Sequence, residues 1–491
     1  MMAKKKPEIK YTKLFINNEF VDAESGKTFA TIDPSDETEI AQIAEGDKAD
    51  IDKAVRAARE AFKLGSAWRT MDASERGRLI LKLTSLMSRD LDYIAALDTV
   101  DNGKTFTSAK VDVEQAISTL EYYAGMADKI HGDTIPADGS VMCYTRLEPV
   151  GVVGQIIPWN YPVAMLAWKW APALAAGCTI VLKPAELTPL SSLYMGHLTR
   201  EAGFPAGVVN VVPGYGHSAG AAVAGHHNID KVAFTGSTQV GKMVMAAAAT
   251  SNLKRVSLEL GGKSPLVIMD DVDIEKAAEI AHEAIFANHG QNCCAGSRTF
   301  VHEDIYDKFV SVAAEKARNR KVGDPWQDES VQGPQVSKVQ FDKILGFIKS
   351  GEDEGARLEA GGKRTGEIGY FVEPTVFSGV EDNMKIASEV IFGPVQSILK
   401  FSTIDEVLER CNNTNYGLAA GILTNNINTA LMFSQGVEAG SVWINCYDHT
   451  IAHTPFGGFK QSGQGRELGP EGIKAYLEVK TVTIALDQKN S

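Results

Sequence analysis

The sequence has few cysteines and no long apolar run, and each shortage excludes a class of protein. Its six cysteines lack the paired spacing of a disulfide framework or a zinc site, so we expect reduced thiols and assign no metal. No run of 18 uncharged apolar residues occurs, so no membrane span is predicted. The N-terminus has neither a secretory signal core nor an arginine-rich presequence, although a processed chain would have lost one. The expected location is cytoplasmic.

The charge balance and the composition exclude further classes of protein. The chain carries 49 Lys+Arg against 62 Asp+Glu, a net charge of −13, which argues against a nucleic-acid-binding protein. Hydrophobic residues make up 44% and charged residues 23%, which excludes disordered and collagenous classes. The length of 491 residues predicts about three domains or lobes.

Neither a GxGxxG turn nor a Walker loop is present, yet strands alternate with helices along the chain. Residues 47–130 are predicted to be helical, with one segment over Ala73–Leu97. From residue 150, helices separate most of the predicted strands, which are Val150–Ile157, Thr179–Leu182, Val208–Val212, Lys231–Phe234 and Pro265–Met269. This alternation predicts a doubly wound parallel sheet.

A second α/β block follows the first. Its predicted strands are Thr299–Val301, Thr375–Phe377, Gln396–Phe401, Leu418–Leu423 and Ser441–Ile444. The tail Tyr476–Leu486 alternates apolar and polar residues and is predicted to be a further strand. Such a late strand either extends the sheet of another subunit or completes its own.

Two turns after predicted strands carry groups suited to a nucleotide. Gly236 and Ser237 follow one strand and open a helix, whose free N–H groups could meet a phosphate. Lys183 and Glu186 follow another strand, and Glu186 could accept bonds from ribose hydroxyls while its charge opposes a 2′-phosphate. Each turn taken alone also fits an ordinary strand–helix junction or a surface ion pair.

Three further residues are candidates for catalysis. Cys293 lies in a Gly-flanked loop, and a catalytic thiol needs a base or oriented dipoles; His289 is the only histidine close to it in sequence. Glu259 interrupts an apolar strand, where a carboxylate is costly to bury without a partner or a task. Asn160 lies between a strand and a helix, where its amide could point into a cleft or serve the turn alone.

Together these segments resemble the aldehyde dehydrogenase family over essentially the whole chain, most closely its acetaldehyde and retinal dehydrogenase branch. The motifs that carry the resemblance are Pro158-Trp159-Asn160-Tyr161-Pro162, Lys183-Pro184-Ala185-Glu186, Phe234-Thr235-Gly236-Ser237-Thr238, Leu258-Glu259-Leu260-Gly261-Gly262-Lys263, Gly290-Gln291-Asn292-Cys293-Cys294-Ala295-Gly296-Ser297-Arg298, Pro455-Phe456-Gly457-Gly458-Phe459-Lys460 and Glu478-Val479-Lys480-Thr481-Val482-Thr483.

The resemblance implies an α/β fold of two doubly wound parallel-sheet domains and a small β oligomerisation arm. The implied ranges are 1–130 and 150–261 for the NAD-binding domain, 262–461 for the catalytic domain, and 131–149 with 477–491 for the arm. It also implies a homotetramer, built as a dimer of dimers.

The same resemblance implies that NAD is the cofactor and that an aliphatic or retinal-like aldehyde is oxidised to a carboxylic acid. The implied nucleophile is Cys293, with Asn160 in the oxyanion hole and Glu259 as general base. Lys169 and Glu467 match residues of a proton path.

The implied cofactor contacts are Ile157, Pro158, Trp159, Lys183, Glu186, Gly216, Gly220, Phe234, Gly236, Ser237, Val240, Leu260, Gln340, Lys343 and Phe392. The implied substrate tunnel comprises Tyr161, Met165, Trp168, Thr450 and Phe456. Thr450 stands where the family often has an aromatic residue, which favours long or bulky aldehydes. For Met165, plain core packing is an equal alternative.

One position departs from the family pattern. Val390 in Glu389-Val390-Ile391-Phe392-Gly393-Pro394 replaces the second of two glutamates, which usually holds the nicotinamide ribose hydroxyls. We expect weaker cofactor placement and slower hydride transfer, since neighbouring strand residues face opposite sides and Glu389 would point away. This departure keeps open an alternative function, that of an omega-crystallin-like structural lens protein with weak or no activity.

Overall fold

The computed structural model describes residues 6–488, so residues 1–5 and 489–491 of the predicted domain ranges lie outside the described part. The strands are β1 Leu14–Ile16, β2 Glu19–Val21, β3 Thr28–Ile32, β4 Glu39–Ala44, β5 Thr134–Ile135, β6 Val141–Pro149, β7 Val152–Ile156, β8 Thr179–Lys183, β9 Val209–Val211, β10 Lys231–Thr235, β11 Arg255–Glu259, β12 Pro265–Ile268, β13 Arg298–His302, β14 Arg357–Ala360, β15 Thr375–Ser378, β16 Val395–Phe401, β17 Ala419–Leu423, β18 Ser441–Ile444, β19 Gly463–Gln464 and β20 Leu477–Ala485.

The α-helices are α1 Lys48–Phe62, α2 Ala67–Thr70, α3 Ala73–Arg89, α4 Leu91–Asn102, α5 Phe106–Met126, α6 Pro162–Ala176, α7 Leu190–Ala202, α8 Ala221–Gly225, α9 Thr238–Ser251, α10 Ile274–Phe286, α11 Tyr306–Asn319, α12 Lys338–Asp353, α13 Lys385–Ser388, α14 Ile404–Asn412, α15 Ile427–Gly436 and α16 Gly469–Lys474. A π-helical turn, Gly216–Gly220, precedes α8. Within residues 6–488, no helix is long and apolar enough to span a bilayer.

The first sheet has eight strands in the order β19-β11-β10-β7-β8-β9-β1-β2. Its five central strands, from β11 to β9, are parallel, as the alternation of strands and helices predicts. Both faces of β8 are buried because helices cover the sheet on each side, which explains its unbroken apolar run. The carboxyl ends of these strands share one edge, where ligands bind in doubly wound folds.

The second sheet also follows the predicted pattern. Its order is β14-β15-β16-β13-β12-β17-β18, and every pair is parallel except β14 with β15. A third sheet, β20-β6-β5, pairs the C-terminal strand with residues 141–149. The mixed α/β class with parallel-sheet domains is therefore confirmed.

Several boundaries differ from the sequence-based expectation. The helix predicted over Ala73–Leu97 is two helices, α3 and α4, which meet at Asp90. The hairpins β1–β2 and β3–β4 were not predicted, because their strands are only three to six residues long. Strand β19, outside all three predicted domain ranges, pairs with β11 and so belongs to the first sheet.

Helix α6 runs through the core around the first sheet and carries a buried charged residue, Lys169. It opens with Pro162 at its first turn and ends at Gly177, whose φ of 92° suits glycine. All but one of its residues are buried, including Lys169, which has 0% of its side chain exposed. A buried ammonium needs polar partners, so Lys169 points to a polar site beyond the helix.

Candidate active site

The site lies where the carboxyl edge of the first sheet faces the amino ends of two strands of the second. Asn160 follows β7, Gly236 follows β10 and Glu259 ends β11. Cys293 and Phe392 lie in the loops that lead into β13 and β16. These loops enclose a cavity of about 670 Å³ that all five residues line.

Most of the predicted site residues line this one cavity. They are Pro158, Trp159, Asn160, Tyr161, Met165, Trp168, Gly236, Ser237, Glu259, Leu260, Cys293, Gln340, Lys343, Phe392, Thr450 and Phe456. The predicted residues that do not line it are Ile157, Lys169, Lys183, Glu186, Gly216, Gly220, Phe234, Val240 and Glu467. The fold thus brings together predicted site residues that lie between positions 158 and 456 of the sequence. The other predicted site residues do not line the cavity.

Cys293 and Asn160 approach each other across the two domains. The Cys293 side chain is half-buried, as access by a substrate requires. The Asn160 side chain is buried, and its Nδ2 donates to the Gln291 carbonyl at 3.0 Å, two residues before the thiol. Since an amide nitrogen carries two donors, the second remains available to a developing oxyanion.

Glu259 is a buried carboxylate that has no hydrogen-bond partner among the described residues. Burial, followed by the charge of Glu467, raises its pKa well above the usual carboxyl value. Gly457 provides the space it occupies, because a Cβ at that position would lie 2.8 Å from Glu259 Oε1. A carboxyl with a raised pKa in a water-sized space has the properties of a general base near neutral pH.

Lys169 and Glu467 form an ion pair close to Glu259. Lys169 Nζ donates to Glu467 Oε1 at 2.6 Å and to Thr235 Oγ1 at 2.6 Å. Thr235 lines the cavity and pairs in register with Glu259 across β10 and β11. The polar partners expected for the buried lysine are therefore found at the rear of the site.

His289 is not available as a base for the thiol. Its Nδ1 donates to the Pro334 carbonyl at 2.9 Å, and its Nε2 accepts from the Gly333 N–H at 3.1 Å. Burial, with the nearby charges of Lys104 and Arg320, lowers the pKa of His289 to about 3. With both ring nitrogens engaged, this histidine holds the loop and stays neutral.

The far end of the cavity has features suited to a dinucleotide. Ser237 caps α9, and Gly236 precedes it where a Cβ would lie 2.6 Å from the Phe234 ring. Trp159 and Phe392 meet edge to face with ring centroids 5.3 Å apart. The free N–H groups of a 14-residue helix, a lysine and two aromatic rings together fit the phosphates and rings of NAD.

Lys183 and Glu186 lie beside this end of the cavity. Lys183 Nζ lies 3.0 Å from Glu186 Oε2, but the Lys183 side chain is buried, so the pair is not the exposed surface pair of the alternative. A Cβ on Gly220 would lie 3.7 Å from Lys183 Cδ, which places the π-helical turn against the lysine. Gln340 is partly committed elsewhere, because its Nε2 donates to the Phe392 carbonyl at 2.7 Å.

The strand assumed for residues 389–394, from which Glu389 was expected to point away from Val390, is absent. Residues 389–394 form no strand, and Phe392 has a φ of 61°, so side chains do not alternate there. Glu389 and Val390 both line the cavity. Neighbouring residues 389 and 390 therefore border the same space.

The substrate end of the cavity is more polar than expected. Trp168 and Phe456 form an apolar wall with centroids 5.3 Å apart. Four polar residues that sequence reasoning missed share the wall, namely Asp112, Gln115, Asn292 and Asp448. Asn292 could have been found from its place beside Cys293, whereas Asp112 and Asp448 carry no local motif.

The chain is similar to known proteins in both sequence and structure. The family model described as "Aldehyde dehydrogenase family" matches residues 20–482. The mitochondrial aldehyde dehydrogenase of Mesocricetus auratus is 59% identical over 486 residues, which is 99% of this chain and 97% of the relative. Retinal dehydrogenase 2 of Homo sapiens is 58% identical over 485 residues, covering 99% and 94%. The NAD+ complex of a Bacillus cereus aldehyde dehydrogenase superposes with a TM-score of 0.96 at 51% identity, covering 97% of each chain.

Proposed function

The chain belongs to the aldehyde dehydrogenase family, it is an NAD-dependent aldehyde dehydrogenase, and we propose how its own residues carry out the oxidation. The observation that carries the proposal is the convergence of Cys293, Asn160 and Glu259 on one cavity. The alternative of a structural lens protein has no support from the comparisons.

Cys293 acts as the nucleophile. Its sulfur attacks the aldehyde carbon, and the resulting thiohemiacetal oxyanion accepts a hydrogen bond from Asn160 Nδ2. NAD, when bound, would supply the hydride acceptor, so that the Cys293 adduct is oxidised to a thioester. Residues Gly236, Ser237, Trp159, Lys343 and Phe392 would hold the cofactor.

Glu259 acts in the second half of the reaction. As a base it takes a proton from the water that attacks the thioester; the C–S bond breaks, the carboxylic acid leaves, and Cys293 is left as the thiolate while the proton stays on Glu259. Its unpartnered oxygens and raised pKa support this role. Lys169, Thr235 and Glu467 lie next to Glu259 and carry the proton onward from it.

The test separates the two halves of the reaction. Glu259→Gln should give a burst of about one NADH per active site and then stall, because acylation proceeds and hydrolysis does not. Cys293→Ser should give neither burst nor turnover, while the matched control Cys446→Ser, at an exposed position, keeps both. Full steady turnover by Glu259→Gln would refute its role as general base.

The substrate is an aliphatic or retinal-like aldehyde. The apolar wall of Trp168, Phe456 and Met165 supports an apolar chain, and the small Thr450 supports a bulky one. Retinal dehydrogenase 2 among the relatives agrees with this class. Thr450→Phe should lower kcat/KM for retinal at least tenfold and leave that for propanal within about twofold.

The protein assembles as a homotetramer, a dimer of dimers, in the cytoplasm. Strand β20 is the edge of its sheet and exposes Val479 and Ile484, with 68% and 43% of their surfaces accessible. Strand β18 is the edge of the second sheet, and unpaired edges recruit further strands. Light scattering should give four chains per particle, and Val479→Lys should reduce that number.

Free thiols at all six cysteines support the cytoplasmic location. Some relatives are named mitochondrial, so organelle fractionation of cells expressing the full chain is the test. Recovery of the chain with mitochondria would contradict the assignment.

A further inference from the structure

The amide of Asn292 lies between the nucleophile and the half-buried carboxylate of Asp448. Asn292 Nδ2 donates to Asp448 Oδ2 at 2.7 Å. Asn292 Oδ1 accepts from the Cys294 N–H at 3.4 Å and from the Cys293 Sγ at 3.9 Å. Because the two ends of an amide differ, donor on one side and acceptor on the other, this orientation decides what the Cys293 sulfur meets.

Asp448 is what sets that orientation. Three donors converge on its carboxylate: Asn292 Nδ2, the Cys294 thiol at 3.3 Å and the Thr450 hydroxyl at 3.3 Å. Burial raises the pKa of Asp448, and these three hydrogen bonds oppose the rise. An ionised carboxylate only accepts, so the NH₂ end of the Asn292 amide must face it and the oxygen must face the sulfur.

An acceptor oxygen beside a sulfur favours the thiol over the thiolate. The other titratable groups around Cys293 are Glu259 on β11, Tyr161 before α6, and Cys294 and Tyr447, none of which supplies a positive charge. Lys104 is paired with Asp112 and Lys169 with Glu467, whereas Lys343 also lines the cavity and is acted on by the charge of Glu389. The Asn292 amide oxygen is the hydrogen-bond acceptor that the structure gives the Cys293 sulfur.

We propose that Asp448 is a positioning residue that acts through Asn292, turning the amide so that its oxygen holds Cys293 as a hydrogen-bonded thiol in the resting enzyme. The proposal rests on the proposed function of Cys293 as nucleophile. It assigns a task to the buried Asn292 and the half-buried Asp448, which are 156 positions apart in sequence and which the proposed mechanism does not use.

The test measures the thiol and needs no turnover. Iodoacetamide alkylates the thiolate, so the rate of Cys293 modification against pH, followed by tandem mass spectrometry without cofactor, reports its ionisation. In Asp448→Asn the midpoint of this curve should fall by about one pH unit, because a negative charge is removed and the amide is free to turn its NH₂ to the sulfur. The matched control Asp271→Asn should keep the wild-type midpoint; Asp271 is exposed and accepts from Thr424 and Asn425 outside the cavity.

A reversed pair distinguishes positioning from mere packing. Asn292→Asp combined with Asp448→Asn restores a hydrogen bond between the two positions but brings the charge to Cys293. If Asp448 acts through its charge and through the Asn292 oxygen, the midpoint of the double variant should lie above that of the wild type. If the two residues have only a structural role, the midpoint should return to the wild-type value.

An unchanged or raised midpoint in folded Asp448→Asn would overturn the proposal. Should that variant not fold, Asn292→Ala removes the acceptor oxygen directly, and its midpoint must also fall. Failure here leaves the NADH burst of Glu259→Gln unaffected, so the proposed function is tested separately.

Discussion

Lys169 Nζ lies 2.6 Å from Glu467 Oε1, and this buried ion pair lies close to the Glu259 carboxyl, which has no hydrogen-bond partner within residues 6–488. The negative charge of Glu467 raises the pKa of Glu259 beyond the effect of burial, while Lys169 opposes the rise. The charges of Lys169 and Glu467 therefore change the pKa of Glu259, the proposed base, although neither residue lines the cavity.

Glu467→Gln should lower the pKa of Glu259, because a like charge is lost and Lys169 is left unpaired beside it. Thioester hydrolysis needs the ionised base, so the acid limb of the kcat–pH profile should move to lower pH by about one unit. Glu471→Gln makes the same change on α16, outside the cavity, and should leave the limb in place. An unmoved limb in folded Glu467→Gln would show that the pair does not act on Glu259.

Val390→Glu should strengthen NAD binding and speed turnover. It adds an acceptor of the kind that charge-assisted hydrogen bonds use, worth about 1.5–3 kcal/mol, or a tenfold to hundredfold change. Calorimetric titration of NAD and steady-state kcat are the measurements, with Val390→Gln as the uncharged control. Unchanged affinity and turnover would contradict the expected role of this position.

Glu389→Gln tests whether the neighbouring carboxylate compensates in the native chain. Because Glu389 lines the same cavity wall, its loss should weaken NAD binding several-fold in the wild type and much less in Val390→Glu. Equal effects in both backgrounds would mean that the two side chains do not serve the same ribose.

Glu186→Gln should relax the preference for NAD. The change removes the charge that opposes a 2′-phosphate and frees Lys183, now 3.0 Å from Glu186 Oε2, to meet it. The ratio of kcat/KM for NADP to that for NAD should rise about tenfold. Glu201→Gln, on α7 outside the cavity, is the control. An unchanged ratio in Glu186→Gln would show that Glu186 does not determine the choice between NAD and NADP.

His289→Gln should make the protein more resistant to acid. The folded pKa of His289, about 3, lies below its ordinary value of 6.5, so its stabilisation is complete above pH 6.5 and is lost as the pH falls toward 3. Over this window the wild type should lose about 1.4 kcal/mol per pH unit through this group. Thermal unfolding of the variant should depend less on pH than that of the exposed control His453→Gln; parallel curves would contradict the prediction.

Much of the fold was predictable because its signals are local. Strand and helix periodicity identified both parallel sheets, and the motifs around Asn160, Glu259 and Cys293 each lie in one short segment beside a strand. The short hairpins β1–β2 and β3–β4 escaped prediction, since their strands gain stability from the sheets and helices they contact more than from their own pattern.

By itself, the sequence determined the α/β class and placed the candidate catalytic residues in short motifs, since each motif consists of consecutive residues. Only the tertiary structure decided how those residues face one another. It placed Glu389 on the same wall as Val390, through a loop with Phe392 at positive φ. It also brought Asp448 to Asn292, a contact across 156 residues that no periodicity encodes, because burial of a polar group selects its partners in space rather than along the chain.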